Sequence, residues 1–168
     1  SIWQYRHLTL GVVAIFLYVG IEVSIGGFIV NFLGEPHIAN MREEIAGNYV
    51  SYYWGGAMIG RFIGSALLQK IKAHKLLAIS SVAALVLLMN TLLFSGAMAM
   101  WSVIFIGFFN SIMFPNIFTL SIKGLGQQTS RGSGLLVMAI VGGAIIPLFQ
   151  GMLADYFGIQ YSFAIGLI

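Results

Sequence analysis

Residues 8–33 run for 26 positions with Glu22 as the one charged side chain. As a helix rising 1.5 Å per residue, a stretch of that length crosses about 30 Å of hydrocarbon with a few residues to spare. Four more stretches, 49–71, 76–94, 100–123 and 132–156, are of the same kind, and a sixth opens near Gln160 and is still apolar at Ile168. The expected fold class is therefore all-α and polytopic, with lipid as the solvent for much of its surface. Composition agrees: 59% of the 168 residues are hydrophobic and 8% charged, against roughly 25% charged in soluble domains. The chain opens on Ser1 without a start methionine and stops inside its sixth apolar stretch, which leads us to expect a piece of a longer protein.

The basic residues sort by membrane side. Arg6, Lys70, Lys72, Lys75, Lys123 and Arg131 fall at one set of span ends, whereas Arg42 alone falls at the other, among Glu35, Glu43, Glu44 and Asp155. Positive residues mark cytoplasmic loops, so the N-terminus and the "KAHK" and "GLGQQTSR" connections are expected inside the cell. The net charge of +3 is thus a topology signal and calls for no nucleic acid. There is no cysteine, and His7, His37 and His74 all lie outside the spans. That leaves no nucleophile–base pair and no metal or cofactor cluster at membrane depth, nor is there a charged ring or carbonyl filter such as a channel requires. An enzyme is not expected.

Two segments repeat. "GGAMIGRFIG" (55–64) and "GGAIIPLFQG" (142–151) agree at Gly55/Gly142, Gly56/Gly143, Ala57/Ala144, Ile59/Ile146, Phe62/Phe149 and Gly64/Gly151. The same spacing of 87 pairs Gly20 with Gly107, Ser24 with Ser111 and Ile25 with Ile112. One repeat unit then holds three spans, and an odd number of crossings inverts the second copy. Inverted three-helix repeats nested in a six-helix half are a mark of secondary transporters.

The segments "FLYVGIEVSIGGFIVNFL" (16–33), "YWGGAMIGRFIGSALL" (53–68) and "FPNIFTLSIKGLGQQTSRGSGLLVMAIVGGAIIPLFQGMLAD" (114–155) resemble the major facilitator superfamily. More narrowly, they resemble its cation-coupled fucose, galactose and glucose symporters of bacteria, with "GGAIIPLFQGMLAD" nearer the glucose/galactose members. The resemblance implies the C-terminal six-helix half of a twelve-helix transporter in the bacterial inner membrane. It implies a hexose substrate moved with a proton or sodium ion by alternating access, and an N-terminal half as partner. An L-fucose symporter and a non-transporting membrane subunit are the alternatives. The superfamily's basic loop motif is incomplete: "GSALLQKIKAHK" keeps Gly64 and lysines but lacks the acidic residue, and "GMLADYFG" keeps a glycine and Asp155 without basic residues.

Against that frame, the polar residues within spans are the candidate site. A charge at mid-span costs about 2.5–3.5 kcal/mol on insertion scales, and Glu22 and Arg61 stand at similar depths on consecutive antiparallel spans. A Glu22–Arg61 contact, direct or through water, is expected. Glu22 is either an acceptor for sugar hydroxyls or a carboxylate sensing the coupling cation, or else a structural anchor for Arg61. Tyr18, four residues earlier, shares its helix face. Asn110 and Asn116 flank Pro115, which frees the Ser111 carbonyl and favours a kink; Gln150 follows Pro147 in the same way. These three are expected to face sugar, with interhelical hydrogen bonding as the plainer role. Gly56, Gly60 and Gly64 recur every fourth residue and predict close helix packing. Trp101 reads as an interfacial aromatic; Tyr53 and Trp54 are open between that role and stacking on a sugar ring.

Overall fold

The computed structural model describes residues 4–168. Its helices are α1 (Arg6–Gly34), α2 (Glu43–Leu67), α3 (Ala73–Leu93), α4 (Gly96–Ile122), α5 (Thr129–Met138), α6 (Gly142–Phe157) and α7 (Ile159–Ser162), and no strand is present among the described residues. Four helical segments are long and apolar enough to cross a membrane: Arg6–Gly34, Ala73–Leu93, Gly96–Ile122 and the composite Gly126–Phe157. The chain is a multi-pass membrane protein. At 25 residues α2 is long enough as well, but Asn48, Ser51, Arg61 and Ser65 dilute its apolar character and keep it out of that set.

Several element boundaries differ from the sequence reading, three of them instructively. The second helix starts at Glu43, not Tyr49, because Glu43 and Glu44 occupy its first turn, where the positive end of the helix dipole favours carboxylates. The fourth starts at Gly96, not Met100. The span expected over 132–156 is present as one segment whose winding changes: a single 3₁₀ turn, Ala139–Val141, separates α5 from α6. The Gly142–Gly143 pair that follows makes an unbroken helix costly there. Gly158 then ends α6 in the left-handed region, φ 88°, with its N–H on the Ala154 carbonyl at 2.9 Å, a conformation that glycine adopts without a Cβ penalty.

α4 packs against α1, α2 and α3, and α1 packs against α6. These contacts build two apolar clusters. One joins Ile25, Ile29 and Phe32 of α1 to Val103 and Ile106 of α4, Leu88 and Leu92 of α3, and Phe163. The other joins Leu8, Ile15 and Val19 to Ile117, Leu125 and Leu136. Large apolar side chains such as Leu10, Phe62 and Met138 point outward, each at least 70% exposed. An outward belt of this kind suits a hydrocarbon solvent and would be an aggregation liability in water. Trp101, partly exposed, packs edge-on against Tyr49 with ring centroids 6.1 Å apart, in keeping with an interfacial aromatic.

Candidate functional site

The helices that carry the sequence repeat meet through their glycines. A Cβ on Gly60 would strike the Phe108 carbonyl oxygen and the Ser111 hydroxyl of α4, and one on Gly64 would lie 3.1 Å from Ile112. Gly56 is looser, 3.9 Å from Phe108. On the other side of the bundle Gly142 of α6 meets the Phe16 carbonyl of α1, and Gly20 of α1 meets Ile146. Thus α2 approaches α4 as α6 approaches α1, which is the correspondence that a spacing of 87 requires. Only glycine permits backbones this close.

Between the two apolar clusters, midway along α1, the close packing brings polar groups together. Tyr18 and Glu22 share a face one turn apart and are both buried. The Tyr18 hydroxyl and the Glu22 carboxyl lie beside one another, and neither the hydroxyl nor Glu22 Oε1 has a partner in hydrogen-bonding geometry. Tyr53 of α2 is fully buried and its hydroxyl donates to the Glu22 carbonyl oxygen at 3.0 Å. Its ring occupies a slot that two glycines leave open: a Cβ on Gly107 would come within 2.8 Å of the ring and one on Gly26 within 3.2 Å. Asn110, one turn beyond Gly107 on α4 and buried, has its side chain beside the Tyr53 hydroxyl. Three helices therefore meet at Tyr18, Glu22, Tyr53 and Asn110. A cavity of about 550 Å³ opens beside them between α1, α3 and α4, with Tyr18 and Asn110 on its wall.

Arg61 is near enough for its charge to act on Tyr18 and Glu22, but the expected direct ion pair with Glu22 is not formed. The one ion pair among the described residues joins His37 and Glu35, and Arg61 is exposed. The cause lies in α2: Tyr53, Ala57, Gly60 and Gly64 make its buried stripe, and Arg61 falls at the edge of that stripe. Similar depth on adjacent helices brought the two charges near each other without a direct ion pair.

Asn116 and Gln150 do not join the cluster. Six residues separate Asn116 from Asn110, about 240° around the helix after one full turn. Asn116 is fully buried, and its amide nitrogen donates to the Ile112 carbonyl at 2.6 Å. Gln150, also fully buried, donates to the Ser162 hydroxyl at 3.2 Å. Each keeps a carbonyl oxygen without a partner. Pro115 lies inside α4, which continues as one helix to Ile122. The residue that sequence reasoning left undecided is Tyr53. Its place in the stripe 53, 57, 60, 64, at spacings of four, three and four, was the available signal; Trp54, one position on, is partly exposed.

No family model matches the chain. Over all 168 residues it is 56% identical to a glucose/galactose transporter of Brucella abortus, of which it covers 41%. It is 33% identical over 153 residues to the L-fucose-proton symporter of Escherichia coli, covering 91% of this chain and 35% of that protein. The fold matches a crystal structure of the E. coli fucose:proton symporter at TM-score 0.93 and 31% identity, over 98% of this chain and 40% of that one. It also matches a major facilitator superfamily transporter crystallised in the outward conformation, at TM-score 0.90 and 32% identity, over 96% and 39% respectively. The chain thus spans about two-fifths of the length of these relatives. Matched over its whole length in sequence and nearly all of it in fold, the chain belongs to the major facilitator superfamily, where its relatives are named as glucose/galactose transporters and fucose symporters.

Proposed function

We propose that the chain is the C-terminal half of a secondary transporter that moves a hexose, glucose or galactose, across a bacterial inner membrane. The observation that carries this reading is the Tyr18–Glu22–Asn110 cluster: buried polar groups, two of them with atoms no protein group satisfies. Each unsatisfied buried polar atom costs about 1–3 kcal/mol, and a polyhydroxylated ligand supplies what is missing. In this reading Glu22 accepts hydrogen bonds from sugar hydroxyls, Tyr18 donates or accepts, and the Asn110 amide offers both. Asn116, elsewhere on α4, and Gln150, on α6, each keep a free carbonyl oxygen for a second contact outside this cluster. Arg61 keeps a positive potential near the Glu22 carboxylate.

The N-terminal half is absent here and would complete the site. The two halves rock about it, opening it to one side of the membrane and then the other. The charge distribution puts the N-terminus and the lysine-bearing connections in the cytoplasm. A proton is the favoured coupling ion, sodium the alternative, since a relative that shares a third of the sequence is named as a proton symporter. Glucose or galactose is preferred to L-fucose on 56% against 33% identity.

The test is uptake by the full-length protein in a bacterial strain that lacks its own glucose, galactose and fucose carriers. Accumulation of labelled galactose, competed by glucose more strongly than by fucose, is the expected outcome. Fucose as the strongest competitor would shift the substrate, and no uptake of any of the three would favour the non-transporting subunit.

A further inference from the structure

Three fully buried polar side chains, Ser24, Gln150 and Ser162, lie on α1, α6 and α7, which pack against one another. Ser24 belongs to the ladder along which α1 and α6 touch. One turn before it, a Cβ on Gly20 would strike Ile146 of α6; one turn after it, Phe28 lies 3.8 Å from the place of a Cβ on Gly151. Gln150 stands one turn after Ile146, so the ladder brings Ser24 and Gln150 to the same level. On its α7 side Gln150 is already engaged. Its Nε2 donates to the Ser162 hydroxyl at 3.2 Å, and that hydroxyl donates to the Ile159 carbonyl at 2.6 Å. The Ser162 proton is thereby used, and Gln150 Oε1 is left without a donor.

Ser24 holds the complementary group. Ser81, Thr91, Ser111 and Ser121 each donate to a carbonyl three or four residues back in their own helix, the usual refuge of a hydroxyl inside a helix. Ser111 is the counterpart of Ser24 at the repeat spacing of 87. Ser24 makes no such bond, and its Oγ is buried without a partner. A third polar group belongs to the same stretch of the contact. Pro147 has no N–H, so the Gly143 carbonyl loses its helical donor, and a Cβ on Gly143 would come within 3.2 Å of Val19 and Val23 of α1. A buried water typically makes about three hydrogen bonds to groups left unsatisfied by the protein. Here it accepts from Ser24 and donates to Gln150 Oε1 and to the Gly143 carbonyl. A sodium ion would take the oxygens but leave the Ser24 proton unpaired.

We propose that one buried water molecule binds between Ser24 Oγ and Gln150 Oε1 and ties α1, in the first three-helix repeat, to α6 and α7 in the second. The site rests on packing and on the balance of donors and acceptors, and it stands whether or not the transport reading holds.

Melting of the full-length protein in detergent tests the site through the sign of one substitution. An unpartnered buried hydroxyl costs stability, so deleting it would leave the melting temperature unchanged or raise it. A hydroxyl bonded through water gives the opposite sign: Ser24→Ala is expected to melt about 2 °C below the wild type. In a Gln150→Leu background, where the acceptor is gone, Ser24→Ala is expected to lower it no further. Ser24→Ala melting at or above the wild type, or an equal drop in both backgrounds, would overturn the site. With choline chloride in place of sodium chloride the same difference is expected; a difference confined to sodium would replace the water by a sodium ion. A crystal structure fine enough to show waters should hold one within hydrogen-bond distance of both oxygens, and a direct Ser24–Gln150 bond without it would overturn the water. If Gln150→Leu does not fold, the sign of the Ser24→Ala shift decides alone.

Discussion

Glu22 is the residue on which the most chemistry turns. Its backbone carbonyl is held by Tyr53 while its side-chain Oε1 is left without a partner, so the helix positions a carboxyl oxygen that no described residue satisfies. Glu22→Gln keeps the volume and removes the charge. With a hydrogen bond to a charged group worth about 1.5–3 kcal/mol, the apparent KM for sugar should rise by about tenfold or more, with expression unchanged. Unaltered uptake kinetics would assign the carboxyl a structural role. Tyr53→Phe deletes the hydroxyl that donates to the Glu22 carbonyl and lies beside Asn110, and leaves the ring in place. It should cost about 0.6–1.5 kcal/mol of stability, read as a lower melting temperature. For Arg61 only the direct form of the expected contact is corrected: its charge acts on Glu22 without an ion pair, because the direction of a side chain around its helix is a separate matter from its depth.

At the scale of elements, glycine decides where helices can touch. At Gly60 a methyl group would meet a backbone carbonyl, which cannot move aside as a flexible side chain would. Gly60→Ala should therefore destabilise by about 1–3 kcal/mol through overpacking. At Gly47, in the first part of α2, nothing lies within 4 Å of an added Cβ. Gly47→Ala should then gain up to about 1 kcal/mol from helix propensity. Folded yield and melting temperature of the two variants, measured side by side, check the contrast; equal effects would mean that the α2–α4 contact is not made through Gly60. The glycine spacing was readable in the sequence, but which neighbour the stripe met was not, because a stripe records only that some backbone comes near. The break between α5 and α6 escaped the sequence reading for a related reason: hydropathy is continuous through Ala139–Val141 and carries no record of a local change in helix winding.

For the whole molecule the testable matter is orientation. Single cysteines introduced as Pro36→Cys and Lys72→Cys, in a cysteine-free full-length background, sit on connections at opposite ends of the bundle. An impermeant thiol reagent should label the first in intact cells and the second only after the membrane is opened. The reverse pattern would invert the proposed topology. Relatives of this chain extend well beyond it, and a rocking mechanism needs both halves, so transport measurements belong to the full-length protein.

The sequence by itself determined the solvent, the helical class, the approximate spans, the inverted relation between their two sets and the family resemblance. Each of these is written in local hydropathy, in the sign of the charges at span ends, or in spacing along the chain. The tertiary structure alone decided that Tyr53 closes over Gly26 and Gly107 to hold Glu22. It also decided that Asn110 meets this cluster while Asn116 and Gln150 do not, and that Arg61 makes no direct ion pair with Glu22. Those outcomes depend on how each helix is rotated about its axis when it packs. That rotation is settled by the summed contacts of several helices at once, and no single stretch of sequence encodes it.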